Sequence, residues 1–312
     1  MNRRGIPSVS ATTLPPTTAD PIPPREVVYA LRCNFTRIVV EQCLRAGIDV
    51  VALLVPGPPG LATPAEVSRP VSLLPMAGSL PTDGEPRVFQ IAAPGSRSTR
   101  QLLSSLQPDV LAVACYPMRI PSRTTALARL GALNVHPSLL PEGRGPDPLF
   151  WTLRRGDGRT GVTVHALGDR FDAGPIYAQR AITYPDGTTE PELDAMLAQA
   201  GGLLLVETIT ALASGSAVAV PQDEQLASYQ SWPTEDDYTI DADGSARVAF
   251  NFIRGIAGRG NPVMIATPNE PVVVAEALSY VRDAPLAGSD ADGTRWIGFA
   301  DGALLVRERR SP

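Results

Sequence analysis

The sequence predicts an open, mostly parallel α/β sheet with helices on both faces, followed by a small C-terminal β-rich domain of OB or barrel type. Three observations carry this. The early strand-like segments, residues 27–31 and 50–55, are continuous apolar runs, as expected where a parallel sheet is covered on both faces. Strand-like and helix-like segments then alternate as far as residue 135, the pattern of an open α/β sheet. After Pro233 the chain changes to short strand-like runs broken by Gly, Pro and Asp.

The elements follow in order. Residues 1–24 are rich in Pro, Thr and Ser and poor in large apolar groups, so they predict a disordered tail. Residues 27–31 form a first strand, 36–46 a helix closed by Gly47, and 50–55 a second strand. Residues 56–86 are rich in Pro and Gly and predict a long surface loop. A third strand follows at 88–91, a helix at 98–106, a fourth strand at 110–114, a short helix at 124–130 and a fifth strand at 132–135. Further on come a helix at 149–155, strands at 161–167 and 176–182, and a long amphipathic helix at 190–212. This places a catalytic domain at 25–220, a polar linker at 221–232 and a second domain at 233–312. In the latter, a helix at 245–255 precedes strands at 263–265, 272–277, 296–299 and 303–306.

Composition narrows the classes. The 312 residues carry a net charge of −5, and every basic side chain is Arg, since the sequence contains no Lys. A polyanion-gripping protein usually shows a basic face, and none is evident. No run of eighteen apolar residues and no signal-peptide pattern occurs, so neither a membrane span nor export is expected; the location that follows is cytoplasmic. Cys33, Cys43 and Cys115 lack CxxC spacing and the chain has two histidines, so no metal site is predicted and free thiols are expected.

The chemistry concentrates at the end of the fifth strand. Open α/β sheets place ligands at the carboxyl ends of their strands. Alternation along residues 134–136 puts Asn134 and His136 on one face. Asn can donate to a developing oxyanion, and His can exchange a proton with an amine near neutral pH. A carboxylate partner is available in Asp172, on the exit loop of another strand, although Asp169 and Asp172 are also ordinary loop acids. A short Asn-x-His is by itself a modest signal, and a lone His is more often structural. His165 is expected to pack or to support, Cys33 and Cys115 to pack, Trp151 to be core, and Arg154–Arg155 to be a solvated helix end.

Taken together, Asn134-Val135-His136-Pro137-Ser138-Leu139-Leu140-Pro141, Arg144-Gly145, Pro148, Trp151, Gly156-Asp157, Thr160-Gly161-Val162-Thr163 and Asp172-Ala173-Gly174-Pro175-Ile176 resemble the folate-dependent formyltransferases. The resemblance is dense over 110–182 and looser over 25–110. It implies a Rossmann-like formyltransferase fold and an N-formyltransferase that uses N10-formyltetrahydrofolate, without a metal. It implies Asn134 as the oxyanion donor, His136 as the group that stabilises the tetrahedral intermediate and handles protons, and Asp172 as the carboxylate partner of His136. It also implies folate contacts from Met118, Arg119 and Ile120, from Ser138, Leu139, Leu140 and Pro141, and from Gly168, Asp169, Arg170 and Phe171. Arg144 either acts near the ligands or braces the loop.

The acceptor is less legible. The strand-one exit, Leu31-Arg32-Cys33-Asn34-Phe35-Thr36, lacks the Gly/Ser-rich phosphate cradle that the glycinamide ribonucleotide enzyme carries there, and it departs from the Gly-Thr-Pro pattern of the methionyl-tRNA enzyme. Residues 233–312 hold twelve acids and eight Arg, no footprint for RNA. The expected acceptor is a small-molecule amine, such as an amino sugar or a secondary-metabolite precursor, in a chain that could pair as a homodimer. The alternatives are a methionyl-tRNA formyltransferase, a formyltetrahydrofolate hydrolase, and a non-catalytic folate-binding protein.

Overall fold

In the computed structural model, residues 23–309 are described apart from Arg32, 68–85, Asp157, Asn269, 284–287 and 290–292. The expected tail and most of the 56–86 loop therefore lie outside the described residues.

The first sheet is built from β1 (Arg25–Ala30), β2 (Asp49–Pro56), β3 (Ala65–Glu66), β4 (Arg87–Ile91), β5 (Val110–Ala114), β6 (Gly131–His136), β7 (Arg159–Ala166) and β8 (Ile176–Thr183), in the order β3-β4-β2-β1-β5-β6-β7-β8. The five strands from β4 to β6 run parallel; β3, β7 and β8 join antiparallel. β1, β2 and β5 are buried along nearly their whole length, which is why they read as unbroken apolar runs. Antiparallel β8 instead alternates between half-buried and exposed residues.

Helices cover both faces. On one face α2 (Arg97–Leu106) and the turn after α3 (Ser122–Thr125) pack Leu103, Leu106 and Ala128 against Val27, Tyr29, Leu54 and Leu111. The short helix expected at 124–130 is thus a single turn at 122–125, because residues 126–130 continue in turns to reach β6. The Ser96 hydroxyl starts α2 by accepting from the Thr99 amide at 3.1 Å. On the other face α1 (Asn34–Arg45), α4 (Pro148–Arg155) and α5 (Glu190–Ser214) pack on Val28, Val135, Val162 and Val164.

By length and composition α5 could cross a membrane, yet Leu193, Leu197, Leu204, Leu205 and Ile209 are buried in this core. Gly201 and Gly202 let it approach that closely. A Cβ on Gly201 would stand 2.6 Å from Val135, and one on Gly202 would stand 2.8 Å from Gln42.

The second sheet contains β9 (Thr239–Asp241), β10 (Val263–Ala266), β11 (Val272–Arg282), β12 (Gly288–Ser289), β13 (Thr294–Phe299) and β14 (Gly302–Glu308) in the order β12-β13-β14-β11-β10-β9, and α6 (Ala246–Ile256) packs against it. Its edges β9 and β12 do not pair with each other among the described residues, so it is a sheet with a helix on one face. Its core is continuous with that of the first sheet: Phe150 of α4 meets Phe252 of α6 with ring centres 5.4 Å apart. Arg154, expected to be a solvated helix end, is half-buried there. It stacks over the Phe252 ring and donates to the Thr239 carbonyl at 2.6 Å, because the α4–α6 contact covers it.

One buried charge is conspicuous. Glu26 of β1 is fully buried, and among the described residues neither of its carboxyl oxygens has a hydrogen-bond partner beyond the weak Cys43 thiol nearby. Burial pushes its carboxyl up to about 7. A raised value means stability that is complete below the unfolded value of about 4.5 and lost as pH rises through about 7. Glu26→Gln is therefore expected to remove about 3 kcal/mol of the stability lost by the parent between pH 5 and pH 8. Denaturant unfolding of both proteins at the two pH values measures this; equal pH dependence would show that Glu26 ionises in the fold as readily as in the unfolded chain.

Candidate active site

The end of β6 meets the antiparallel strand β7. Their register sets Asn134 opposite His165 and His136 opposite Thr163. Because side chains alternate along each strand, all four can share one face. Pro137 then ends the strand, and the 138–141 turn is held from β7 and β8. The Thr163 hydroxyl donates to the Ser138 carbonyl at 2.7 Å, the Leu140 amide donates to that hydroxyl at 3.2 Å, and Gln179 donates to the Leu140 carbonyl. Beyond β7, the exit loop turns back at Asp172, which adopts φ 55°, a left-handed conformation that Asp tolerates better than most residues.

These elements assemble a compact polar cluster. The Asp172 Oδ1 lies 3.6 Å from His136 Nδ1, 3.8 Å from His165 Nε2 and 3.4 Å from the Asn134 amide nitrogen. Its Oδ2 accepts from the Gly145 amide at 2.9 Å. Gly145 is required there: at φ 126°, a Cβ would come within 1.9 Å of the Gln230 carbonyl oxygen. His136 Nε2 donates to the Gly143 carbonyl at 2.9 Å, which leaves Nδ1 facing the carboxylate. The side chains of His136, His165 and Asp172 are 6%, 1% and 10% exposed, so their interactions are little screened by water.

His165, which spacing assigned to packing or support, is buried and part of this cluster. Its Nδ1–H donates to the Ala166 carbonyl at 2.8 Å, so Nε2 presents a lone pair to the Asn134 amide at 3.1 Å. Burial, and then the neighbouring His136, hold its basicity well below the usual histidine value. A neutral His165 is a permanent acceptor that orients the Asn134 carboxamide. The sequence carries a signal for it, since Thr163-x-His165 mirrors Asn134-x-His136. Only the β6–β7 register shows that the two pairs face each other.

A narrow cleft opens beside the cluster. Met118, Arg119 and Ile120 line it from the β5 exit, Gly168, Arg170 and Phe171 from the Asp172 loop, and Asn134, His165 and Asp172 stand at its base. Arg119 ties the two walls by donating to the Asp169 carbonyl at 2.9 Å. Ser138, Leu139, Leu140 and Pro141 do not line this cleft. Ser138 and Leu140 are buried, and backbone groups of the turn are committed to Thr163 and Gln179. Tyr116 lines the cleft as well, and its buried hydroxyl, which the motifs did not flag, has no hydrogen-bond partner among the described residues.

Asp169 lines a second, wider cavity of about 560 Å³, which shares Arg170 and Phe171 with the first and is completed by Arg144, Glu224 and Tyr229. Arg144 braces the linker. It donates to Gln222 at 2.7 Å and to Glu224 at 3.0 Å, and Gln222 in turn donates to the carbonyls of Asp172 and Gly174, both at 2.8 Å. Arg144 and then Arg170 hold the Glu224 carboxyl down at about 2. Gln222 and Glu224 lie in a segment that reads only as a polar linker, and no local pattern marks them.

A buried carboxylate beside two imidazoles and a donor carboxamide, at the floor of a cleft, can polarise a carbonyl and move a proton. Comparison with known proteins is consistent with this. Residues 31–209 match the family described as Formyl transferase. The methionyl-tRNA formyltransferase of Aromatoleum aromaticum is 30% identical over 284 residues, covering 91% of this chain and 86% of its own. That of Thermotoga maritima is 28% identical over 290 residues, covering 92% and 90%. Among solved structures, the sugar 3N-formyl transferase WlaRD shares the fold with a TM-score of 0.62 at 12% identity, covering 93% of this chain and 99% of its own. The family match spans more than half of the chain, and the chain thus belongs to the formyl transferase family, the folate-dependent formyltransferases.

Proposed function

We propose that this enzyme transfers the formyl group of N10-formyltetrahydrofolate to the amine of a small-molecule acceptor, an amino sugar or a secondary-metabolite precursor. The observation that carries the reading is the convergence of Asn134 and Asp172 on the narrower cleft, with His136 3.6 Å from the Asp172 carboxylate and the wider cavity adjoining through Arg170 and Phe171. The narrower cleft suits the folate. Its base offers the Asn134 carboxamide, and its walls offer the apolar side chains of Met118, Ile120 and Phe171 to a flat heteroaromatic ring. The folate supplies an activated formyl carbonyl. Asn134 donates to that carbonyl oxygen as negative charge develops on it, giving up its long 3.4 Å contact with Asp172 while His165 holds the other N–H in position. His136 takes a proton from the attacking amine at Nδ1, the nitrogen not committed to the Gly143 carbonyl, and the Asp172 carboxylate beside it stabilises the imidazolium that forms. The wider cavity, open toward the linker, admits the acceptor. No step in this scheme calls for a metal.

The surface charge supports a small acceptor. Four of the eight Arg in residues 233–312 are committed to internal ion pairs: Arg247 with Asp186, Arg259 with Asp147 and Glu190, Arg295 with Glu308, and Arg307 with Glu276. They are poorly placed to contact phosphates. A second reading, formylation of methionyl-tRNA, is favoured by the relatives whose sequences align along about nine-tenths of this chain. One assay separates the two. Purified enzyme with formyltetrahydrofolate is offered a panel of small amines and, separately, methionyl initiator tRNA, and released tetrahydrofolate is measured. Turnover is expected with a small amine, together with tRNA binding near background at physiological salt. Tight, salt-sensitive tRNA binding with efficient formylation would establish the second reading instead.

A further inference from the structure

Two partly exposed thiols meet at the carboxyl edge of the first sheet. β1 and β5 are adjacent and parallel, with Ala30 opposite Ala114, so their exits carry Cys33 and Cys115 side by side. Cys33 occupies the N-cap of α1, a helix of 12 residues. Its sulfur lies 3.4 Å from the Thr36 hydroxyl, beside the first amides of the helix, and the Cys115 thiol is its strongest electrostatic neighbour. Cys115 adopts φ 58°, a conformation that costs free energy for a residue with a Cβ and is more often retained where it serves a function. Cys43, on the same helix, is fully buried and serves as an internal reference.

This is the physical setting of a reactive cysteine. A thiolate at a helix N-terminus meets free amides and the positive end of the helix dipole, and a second thiol can donate to it. The Cys115 thiol, first, and then the Thr36 and Phe35 donors bring Cys33 down to about 6 against the opposing effect of burial. Asp194 of α5 faces the pair as the opposing charge; burial, and then Cys33, push its own carboxyl up to about 6. Cys115 is held protonated chiefly by its contact with Cys33, a restraint that disappears once Cys33 is no longer an anion.

We propose that Cys33 and Cys115 are a redox-active thiol pair that exchanges with small-molecule disulfides, Cys33 attacking and Cys115 resolving. The Cys33 thiolate attacks one sulfur of a disulfide R–S–S–R. That S–S bond breaks, R–S⁻ leaves and takes up a proton, and a Cys33–S–S–R mixed disulfide forms. Cys115 then loses its proton to solvent and attacks the Cys33 sulfur, expelling the second R–S⁻. Two protein thiols are oxidised by two electrons, and one small disulfide is reduced to two thiols.

Glutathione disulfide is the probe, used on the full chain, with alkylation under denaturing conditions and mass spectrometry to count thiols. The wild type is expected to lose two of its three alkylatable thiols, to yield a linked Cys33–Cys115 peptide and to recover both thiols on reduction. Cys115→Ser is expected to stop at one glutathione on Cys33, and Cys33→Ser to leave Cys115 unmodified. In the folded protein, iodoacetamide should label Cys33 at least about tenfold faster than Cys43. Three free thiols after treatment, glutathione on Cys43, or equal reactivity of the wild type and Cys33→Ser would each overturn the proposal. Circular dichroism confirms that both variants are folded.

Discussion

Asn134→Ala is expected to lower kcat/KM for formyl transfer by about 10²- to 10³-fold, the usual loss when one pre-aimed oxyanion donor is removed. His136→Ala, which removes the proton-transfer group, is expected to cost about 10²- to 10⁴-fold. Asp172→Ala should be at least as severe. Besides facing His136 and Asn134, its carboxylate accepts from the Gly145 amide and so ties two loops together. Tetrahydrofolate release gives the rate, and a thermal midpoint for each variant separates lost chemistry from lost folding. Near-normal turnover in all three would remove the basis for the proposed mechanism. His165→Ala offers a finer test. If His165 acts by orienting Asn134, its effect should largely vanish when Asn134 is already Ala, whereas independent roles would multiply.

Arg259→Ala is expected to destabilise the protein by about 3 kcal/mol, measured by denaturant unfolding. Arg259 follows α6, yet it donates to Asp147 at 2.6 and 2.9 Å and to Glu190 at 2.8 Å, with its guanidinium over the Phe150 ring. Asp147 is the N-cap of α4, and Glu190 begins α5. Removing the cation leaves two half-buried carboxylates facing each other without a partner, which costs far more than an exposed ion pair would. Arg259→Lys should recover only part of the loss, because an ammonium cannot match both carboxylates and the ring at once. A change within a few tenths of a kcal/mol for Arg259→Ala would mean that the other contacts between the two parts, among them Phe150–Phe252 and Arg247–Asp186, hold them without this cation.

Most of the elements are legible in the sequence because local rules act on short segments. The apolar runs of β1, β2 and β5, the capped start of α2 and the Pro/Gly boundaries need no tertiary information. The elements that sequence reasoning missed are those with little local signal. β3 and β12 are two residues each and β9 three, too short for any periodicity to register. Arg154 was misplaced for a related reason: a charged pair at a helix end is usually solvated, and only the arrival of α6 covers it.

At the site the division is sharper. The sequence by itself brought the candidates forward: alternation at the β6 end places Asn134 and His136 on one face, and the family resemblance adds Asp172 and the roles proposed for all three. Tertiary structure alone decided what holds them. The antiparallel register of β6 and β7 brings His165 to Asn134, Gln222 and Arg144 anchor the Asp172 loop from a polar linker, and two distant strand exits set Cys33 against Cys115. Each of these contacts joins residues 31 to 82 positions apart, and no propensity or periodicity of a short segment can report a partner that only the folded sheet supplies.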